Sequence, residues 1–334
     1  MASNETVANL TGKRKDARGR PVPARYHEPV LPPSGEQFLL ESGTARAVVT
    51  EVGATLRSLE LGGEEVLLSF AEHELCHDGR GQVLAPWPNR LGEGSYSFDG
   101  VEGVAPLNEP ERHNAIHGLV RWSSFRPALR SASEVVLETL LQPQPAYPWR
   151  LRLVVLYSLT DRELAVTVVA TNESGRPAPF GVGFHPYFAA PRGAGAAAVA
   201  LPAARHLLLD ERGLPTGSEA VASSANGALL SGEEALGEAH FDDCYAALPA
   251  GADGRWSVVF TPVAGAPRRL ALRGDGAFSH VMLYSADQLS GNERRSAVAI
   301  EPMTCPPDAF RSGEGVVALQ PAEEFRASFA ISLL

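Results

Sequence analysis

From residue 35 onward the dominant period of this chain is two, and that narrows the folds open to it. "ARAVVTEV" (45–52), "ATLRSLEL" (54–61), "EVVLETLL" (134–141), "RLRLVVLYSL" (150–159), "ELAVTVVATN" (163–172), "RWSVVFTP" (255–262) and "EFRASFAISLL" (324–334) are short stretches of alternating apolar or β-branched residues. Side chains two apart share one face of a strand, so each stretch offers one face to a core. In 150–159, Leu151, Leu153, Val155 and Tyr157 fall on one face. Arg150 and Arg152 begin the other, which turns apolar further along, as in a sandwich strand polar at its mouth and covered in the middle. Clusters such as "ELGGEE", "DGVEG" and "PAGADGR" separate the stretches, and 32 glycines with 26 prolines suit many turns. No segment makes a convincing amphipathic helix of twelve or more residues, and no repeat, low-complexity block or linker divides the chain after residue 35. The expected fold is all-β, one large antiparallel β-sandwich domain over 35–334.

The preceding stretch, "MASNETVANLTGKRKDARGRPVPARYHEP", has no apolar h-region, and its polar, basic, proline-containing composition predicts a mobile arm over 1–34. "KRKDARGR" reads as part of a solvated extension rather than an RNA-binding tail. A net charge of −10 leaves no broad basic field for nucleic acid or anionic lipid. The Ala-rich run "GAGAAAVALPAARHLLL" (193–209) is broken by proline, arginine and histidine, so no membrane span is expected. Three cysteines, Cys76, Cys244 and Cys305, are an odd number without a CxxC pair, which argues against a disulfide framework and for a reducing cytoplasm. These features together predict a cytoplasmic protein, monomer or homodimer, that acts on neutral small molecules.

One motif points elsewhere. His73-Glu74-Leu75-Cys76-His77 satisfies the H-E-x-x-H spacing of zinc proteases. The spacing has meaning only on a helix, where residues four apart share a face. Asp78-Gly79 would end such a helix after a turn or two, so the expectation is a surface loop with two ordinary histidines and no metal. His113, His117 and Cys305 form a second imaginable metal set, but "RHNAIHG" is a poor helix and no metal site is expected there either.

Polar residues gather without a packing reason in "WPNRLGEGSYSFDG" (87–100), "RHNAIHGLVRW" (112–122), "FGVGFHPYF" (180–188) and "AIEPMTCPPDAF" (299–310), and more weakly in "HFDDCYAAL" (240–248). An apolar strand, Ala297 to Ile300, runs into Glu301 and is stopped by Pro302. A carboxylate there is costly to desolvate unless paired or used. His185 sits between Phe184 and Pro186, with Gly181 and Gly183 upstream allowing close backbone approach. Singly, Glu301 reads as a salt-bridged strand end, His185 as a hydrogen-bonded core histidine, and Arg90 and His117 as loop caps.

Jointly, these stretches resemble the aldose 1-epimerase (galactose mutarotase) family. Asn89-Arg90 through Gly94, Tyr96, Phe98 and Gly100 is similar to the family's NR-x-x-x-G-x-Y-x-F-x-G hairpin; N-A-I-H-G at 114–118, H-P-Y-F at 185–188, and E-P with P-D-A at 301–309 follow in family order. The resemblance spans roughly 35–334. It implies the galactose mutarotase-like supersandwich and an isomerase of carbohydrate metabolism that interconverts the α and β anomers of a free monosaccharide, without metal, nucleotide or covalent intermediate.

By the resemblance, Glu301 looks like the general base on O1 and His185 like the general acid on O5. Placed together, the two are expected to hold each other charged, the histidine pKa rising towards neutrality and the glutamate staying ionised. Arg90, His117 and Asp242 match the family's sugar-hydroxyl ligands, with Asn89 and Tyr187 as pocket neighbours. Asp243 stands where the family often has His, so Asp242 and Asp243 are alternatives. Trp87, Trp122 or Phe278 could give the sugar ring a stacking face, though each also reads as core. Galactose-specific members often carry Gln shortly after the catalytic Glu. Here "EPMTCPP" has Met303 and Thr304 instead, similar to a bacterial subgroup that includes a sulfoquinovose mutarotase.

Rival readings follow from the same residues. A non-catalytic sugar-binding module would have less reason to keep both Glu301 and His185. A hexose-phosphate or sulfosugar epimerase of the same superfamily would need a further cation near C6, and none can be chosen from the sequence. A lyase or hydrolase would want two carboxylates flanking a glycosidic bond, and only Glu301 is well placed.

Overall fold

The computed structural model describes residues 32–334. The arm expected over 1–34 lies outside the described residues, but for Pro32, Pro33 and Ser34. Every alternating stretch becomes a strand. Leu151–Leu159 buries each odd-numbered residue, so that Leu151, Leu153, Val155, Tyr157 and Leu159 point inward. Its exposed Arg152 pairs with Glu138 on the neighbouring strand at 2.5 Å. Burial of each such aliphatic side chain contributes roughly 1.5–3 kcal/mol, so the alternation fixes which face turns inward.

Two large antiparallel sheets carry the fold. One runs in the order Arg126–Arg130, Glu134–Leu141, Leu151–Leu159, Glu163–Asn172, Glu324–Leu333, Leu270–Gly274, Trp256–Thr261, Ala198–Ala200. The other runs Pro215–Ala220, Arg205–Leu209, Asp242–Ala246, His280–Tyr284, Ala297–Met303, Gly183–Phe184, Val83–Leu84, with Tyr187–Ala189 also paired to Ala297–Met303. Val155, Tyr157, Val166 and Val168 of the first sheet share one apolar cluster with Val281, Leu283, Val298 and Ile300 of the second. A four-stranded sheet, Gln37–Ser42, Ala45–Thr50, Leu56–Leu61 and Glu64–Glu65, adds Phe38, Val49 and Leu59 to it. Among the described residues the one α-helix is Ala309–Ser312, and no helix is long and apolar enough to cross a membrane. The three cysteines are free and buried.

One expectation is corrected. Pro302 does not stop its strand, which continues through Glu301 and Pro302 to Met303. Proline survives there because the partner on one side is broken. Ile300 N–H donates to Pro186 O and Thr304 N–H to Val182 O. Alternation places the Pro302 nitrogen between these two donors, on the same edge. On that edge the partner consists of Gly183–Phe184 and Tyr187–Ala189, separated by His185 and Pro186. A residue that cannot donate thus faces the interruption that carries His185.

Candidate active site

Glu301 comes from the middle of Ala297–Met303, where it registers with Met282. His185 occupies the interruption in the opposite partner, and its Nε2 lies 3.3 Å from Glu301 Oε1. Both are buried. The imidazole stacks on Tyr187 at 4.7 Å with the rings 5° from parallel, and Tyr187 donates its hydroxyl hydrogen to Asp78 O at 3.1 Å. Against the ring lies Gly79 at φ +71°, where a Cβ would come within 2.9 Å of His185 Cδ2. A glycine here lets the backbone approach the ring.

Asn89 and His117 are both left-handed, at φ +53° and +66°. His117 N–H donates to Asn89 O, and Asn89 Oδ1 accepts from Arg90 N–H at 2.9 Å. The short pair Arg90–Gly92 with Asn114–Ile116 holds these two corners together. The His117 ring stands edge-on to His185 at 5.2 Å. Arg90 donates to both Glu109 oxygens at 3.0–3.2 Å and reaches Asp242 at 3.4 Å.

Glu301, His185, Arg90, His117, Asp242, Asn89 and Tyr187 all line one open cleft of about 790 Å³. Segments spread from residue 78 to residue 301 therefore meet in a space that suits a small ligand. The structure also separates the two aspartates. Asp242 faces the cleft, whereas Asp243, one residue on in the same strand, takes His206 Nε2 at 3.2 Å in the neighbouring groove. None of the candidate stacking residues lines the cleft. Trp87 packs on Phe310 and Tyr96, Phe278 lies in the core, and Trp122 is exposed on an adjacent apolar hollow. Residues 73–77 form turn and loop, and His113 is exposed while Cys305 is buried against Gly181.

The electrostatics differ from the expected ion pair. Burial, then Asp242, pushes Glu301 well above its ordinary value, against a weaker pull from Arg90. Burial, then the Arg121 guanidinium, brings His185 down to about 3. His117 is lowered by burial, by His185 and by the two arginines. Desolvation of two charges outweighs their attraction at 3.3 Å, so in the empty cleft the shared proton rests on Glu301 and the imidazole is neutral. Glu301 Oε2, His185 Nδ1, His117 Nδ1 and Arg90 Nη1 are buried without a hydrogen-bond partner. Such orphaned groups are rare in a folded chain and mark a place where something other than packing is being served.

Several cleft residues lie outside the set chosen from sequence: Asp78, Asn108, Glu109, Arg121, Tyr284 and Gln288. Glu109 neutralises Arg90 and also accepts from Asn114 Nδ2 at 2.8 Å. Nothing in "LNEPERHN" marks it as the partner of an arginine nineteen residues earlier.

The model of the family described as aldose 1-epimerase matches residues 36–332. The uncharacterized protein YihR of Escherichia coli (strain K12) is 30% identical over 300 residues, covering 89% of this chain and 93% of that protein. In three dimensions the chain is similar to the GalM/aldose epimerase homologue from C. elegans, with a TM-score of 0.78 at 17% identity over 90% of this chain and 98% of that one. It is also similar to galactose 1-epimerase from Lactobacillus acidophilus NCFM, with a TM-score of 0.71 at 19% identity over 89% and 93%. At those identities the two structures establish the fold, a galactose mutarotase-like sandwich.

Proposed function

The chain belongs to the aldose 1-epimerase family, and from that premise we propose that its cleft opens and recloses the ring of a free aldose, exchanging α and β anomers. The observation that carries this reading is the buried Glu301–His185 pair, one base and one acid 3.3 Å apart with a hydrogen-bonding atom left over on each. Glu301 takes the proton of the O1 hydroxyl while His185 gives one to ring oxygen O5. The C1–O5 bond breaks as C1=O1 forms, rotation about C1–C2 presents the other carbonyl face, and reversed transfers reclose the ring. An O1 hydroxyl that donates to Glu301 stabilises its carboxylate and so favours the proton on His185, where the reaction needs it. Arg90, His117 and Asp242, with Asn89 and Tyr187 beside them, hold the remaining hydroxyls; the mixture of donors and acceptors suits groups that are both.

The test is anomer exchange by NMR saturation transfer over a panel of free aldoses that includes glucose, galactose and sulfoquinovose. Acceleration of at least one sugar over buffer is expected. No acceleration of any would leave a sugar-binding module as the better reading.

The pH profile follows from the pair carrying one proton. As pH falls towards the His185 value of about 3, a second proton enters and the base is lost. As pH rises, the shared proton leaves only well above the ordinary glutamate value of 4.5, because burial holds it on Glu301. The expected kcat/KM profile is a bell with a broad top and no limb at 6.5. A steep acid limb at the ordinary histidine value would show that His185 works as an independent imidazolium.

A further inference from the structure

Four arginines stand in or around the cleft, and three of them are neutralised. Arg80 is held by Glu293 at 2.7 Å, Arg90 by Glu109 at 3.0 Å, and Arg112 by Glu109 and Asp242 at 3.8 Å. Arg121 lines the cleft, half-buried, with its guanidinium 5.9 Å from the centre of the Trp122 ring. Among the described residues it makes no ion pair, and its guanidinium donates no hydrogen bond. Five N–H donors and a full charge kept from water without an acceptor are expensive. The neighbouring hollow on its other side, lined by Trp87, Ala115, Leu119 and Trp122, supplies no acid.

We propose that Arg121 is the subsite for an acidic substituent on the exocyclic C6 of the sugar, so that the cleft takes an anionic aldose in preference to a neutral one. This rests on the anomer-exchange reading of the same cleft. The position of Arg121 follows from that of the two reacting groups. O5 joins C1 to C5, so a sugar with O1 on Glu301 and O5 on His185 directs C5 and its C6 branch beyond His185, away from Glu301. Arg121 lies on that side. Its charge bears on His185 and His117, whereas the charges that bear on Glu301 are those of Asp242 and Arg90. A carboxylate, sulfonate or phosphate on C6 matches the planar fork of a guanidinium with two parallel hydrogen bonds. The pairing has a second effect. Arg121 is the largest charged influence opposing a proton on His185, and a substrate anion that neutralises it makes His185 easier to protonate. The substituent therefore assists the acid as well as anchoring the sugar, and its effect falls on kcat as well as on KM.

Exchange kinetics would be measured with glucose, glucuronate, glucose 6-phosphate and 6-deoxy-6-sulfoglucose, on the wild type, Arg121→Met and the charge-keeping Arg121→Lys, each checked for folding by circular dichroism. Binding of the same four sugars would be measured by calorimetry on Glu301→Gln, which separates binding from turnover. At least one charged sugar is expected to exceed glucose by about 100-fold in kcat/KM, with part of the gain in kcat. That ratio should collapse towards one in Arg121→Met and be partly kept in Arg121→Lys. The charged sugar that wins identifies the acid. Exchange of glucose as fast as of all three charged sugars would overturn the anion subsite and leave the anomer-exchange reading standing. A charge preference untouched by Arg121→Met would overturn the assignment to Arg121. Charged sugars that bind to Glu301→Gln but are not exchanged by the wild type would keep the subsite and remove the reaction. Charged sugars that bind no better than glucose, with no exchange of any sugar, would overturn both.

Discussion

Glu301→Gln lowers anomer exchange by about 10³-fold, within the range that general acid–base assistance contributes, while leaving the fold intact. The amide has nearly the shape of the carboxylic acid that the empty cleft holds, so packing against Met282 and the contact with His185 change little. What is lost is the capacity to take the O1 proton. The same substitution has a stability signature that a purely catalytic argument would miss. Glu301 titrates well above 4.5 in the folded chain and near 4.5 in the unfolded one, so above pH 4.5 the native state holds a proton that the unfolded state has released. The wild type therefore loses stability as pH rises from 4.5 towards the folded value, and the glutamine, which does not titrate, does not. The variant's unfolding temperature should gain on the wild type's between pH 5 and pH 8. Retention of exchange within tenfold would remove Glu301 as the base, and a variant whose relative stability is flat with pH would show that the carboxyl is ionised in the native cleft.

Gly118→Ala is the second large effect, and it acts through the backbone. Gly118 has φ +65°, and a Cβ there would overlap the carbonyl of Ala85, with which it forms a bridge. Left-handed backbone disfavours alanine by roughly 1–2 kcal/mol, and forcing a methyl into a filled space adds about 1–3 kcal/mol. A loss of about 2–5 kcal/mol follows from these two, read as a fall of roughly 10 °C in unfolding temperature for a domain of this size. Because His117 precedes it at φ +66° and donates to Asn89, what stays folded should also bind sugar more weakly. An unfolding temperature within a degree or two of the wild type would show that the turn can relax without loss.

Period-two alternation revealed the strands because burial of one face is a property of each strand alone: Leu151–Leu159 and Glu163–Asn172 show it residue by residue. Pairing order is not such a property, and the insertion of Glu324–Leu333 between Glu163–Asn172 and Leu270–Gly274 leaves no mark in any of the three stretches. Glu301, His185, Arg90, His117 and Asp242 could be chosen by motif because their types and order are distinctive, and all five line the cleft. The direction of the pKa shifts was misjudged, since the sequence shows a Glu and a His but not how completely both leave water. Arg121 escaped for the opposite reason. It is singled out by the acid it lacks, and a missing partner can be seen only when every neighbour is in place.

The central seat of Glu324–Leu333 has a consequence for how the molecule is assembled. Until that strand arrives, the large sheet exists as two blocks, Arg126 to Asn172 and Ala198 to Gly274, each with an open edge of unpaired amides and carbonyls. Such edges are templates for pairing with other chains. The contact that closes them joins residues about 160 apart in sequence, a separation that slows folding. Removing this last strand would not trim a border but split the sheet in two. Self-association should therefore be the characteristic failure of this chain whenever closure is delayed, and early docking of that strand should protect the whole molecule.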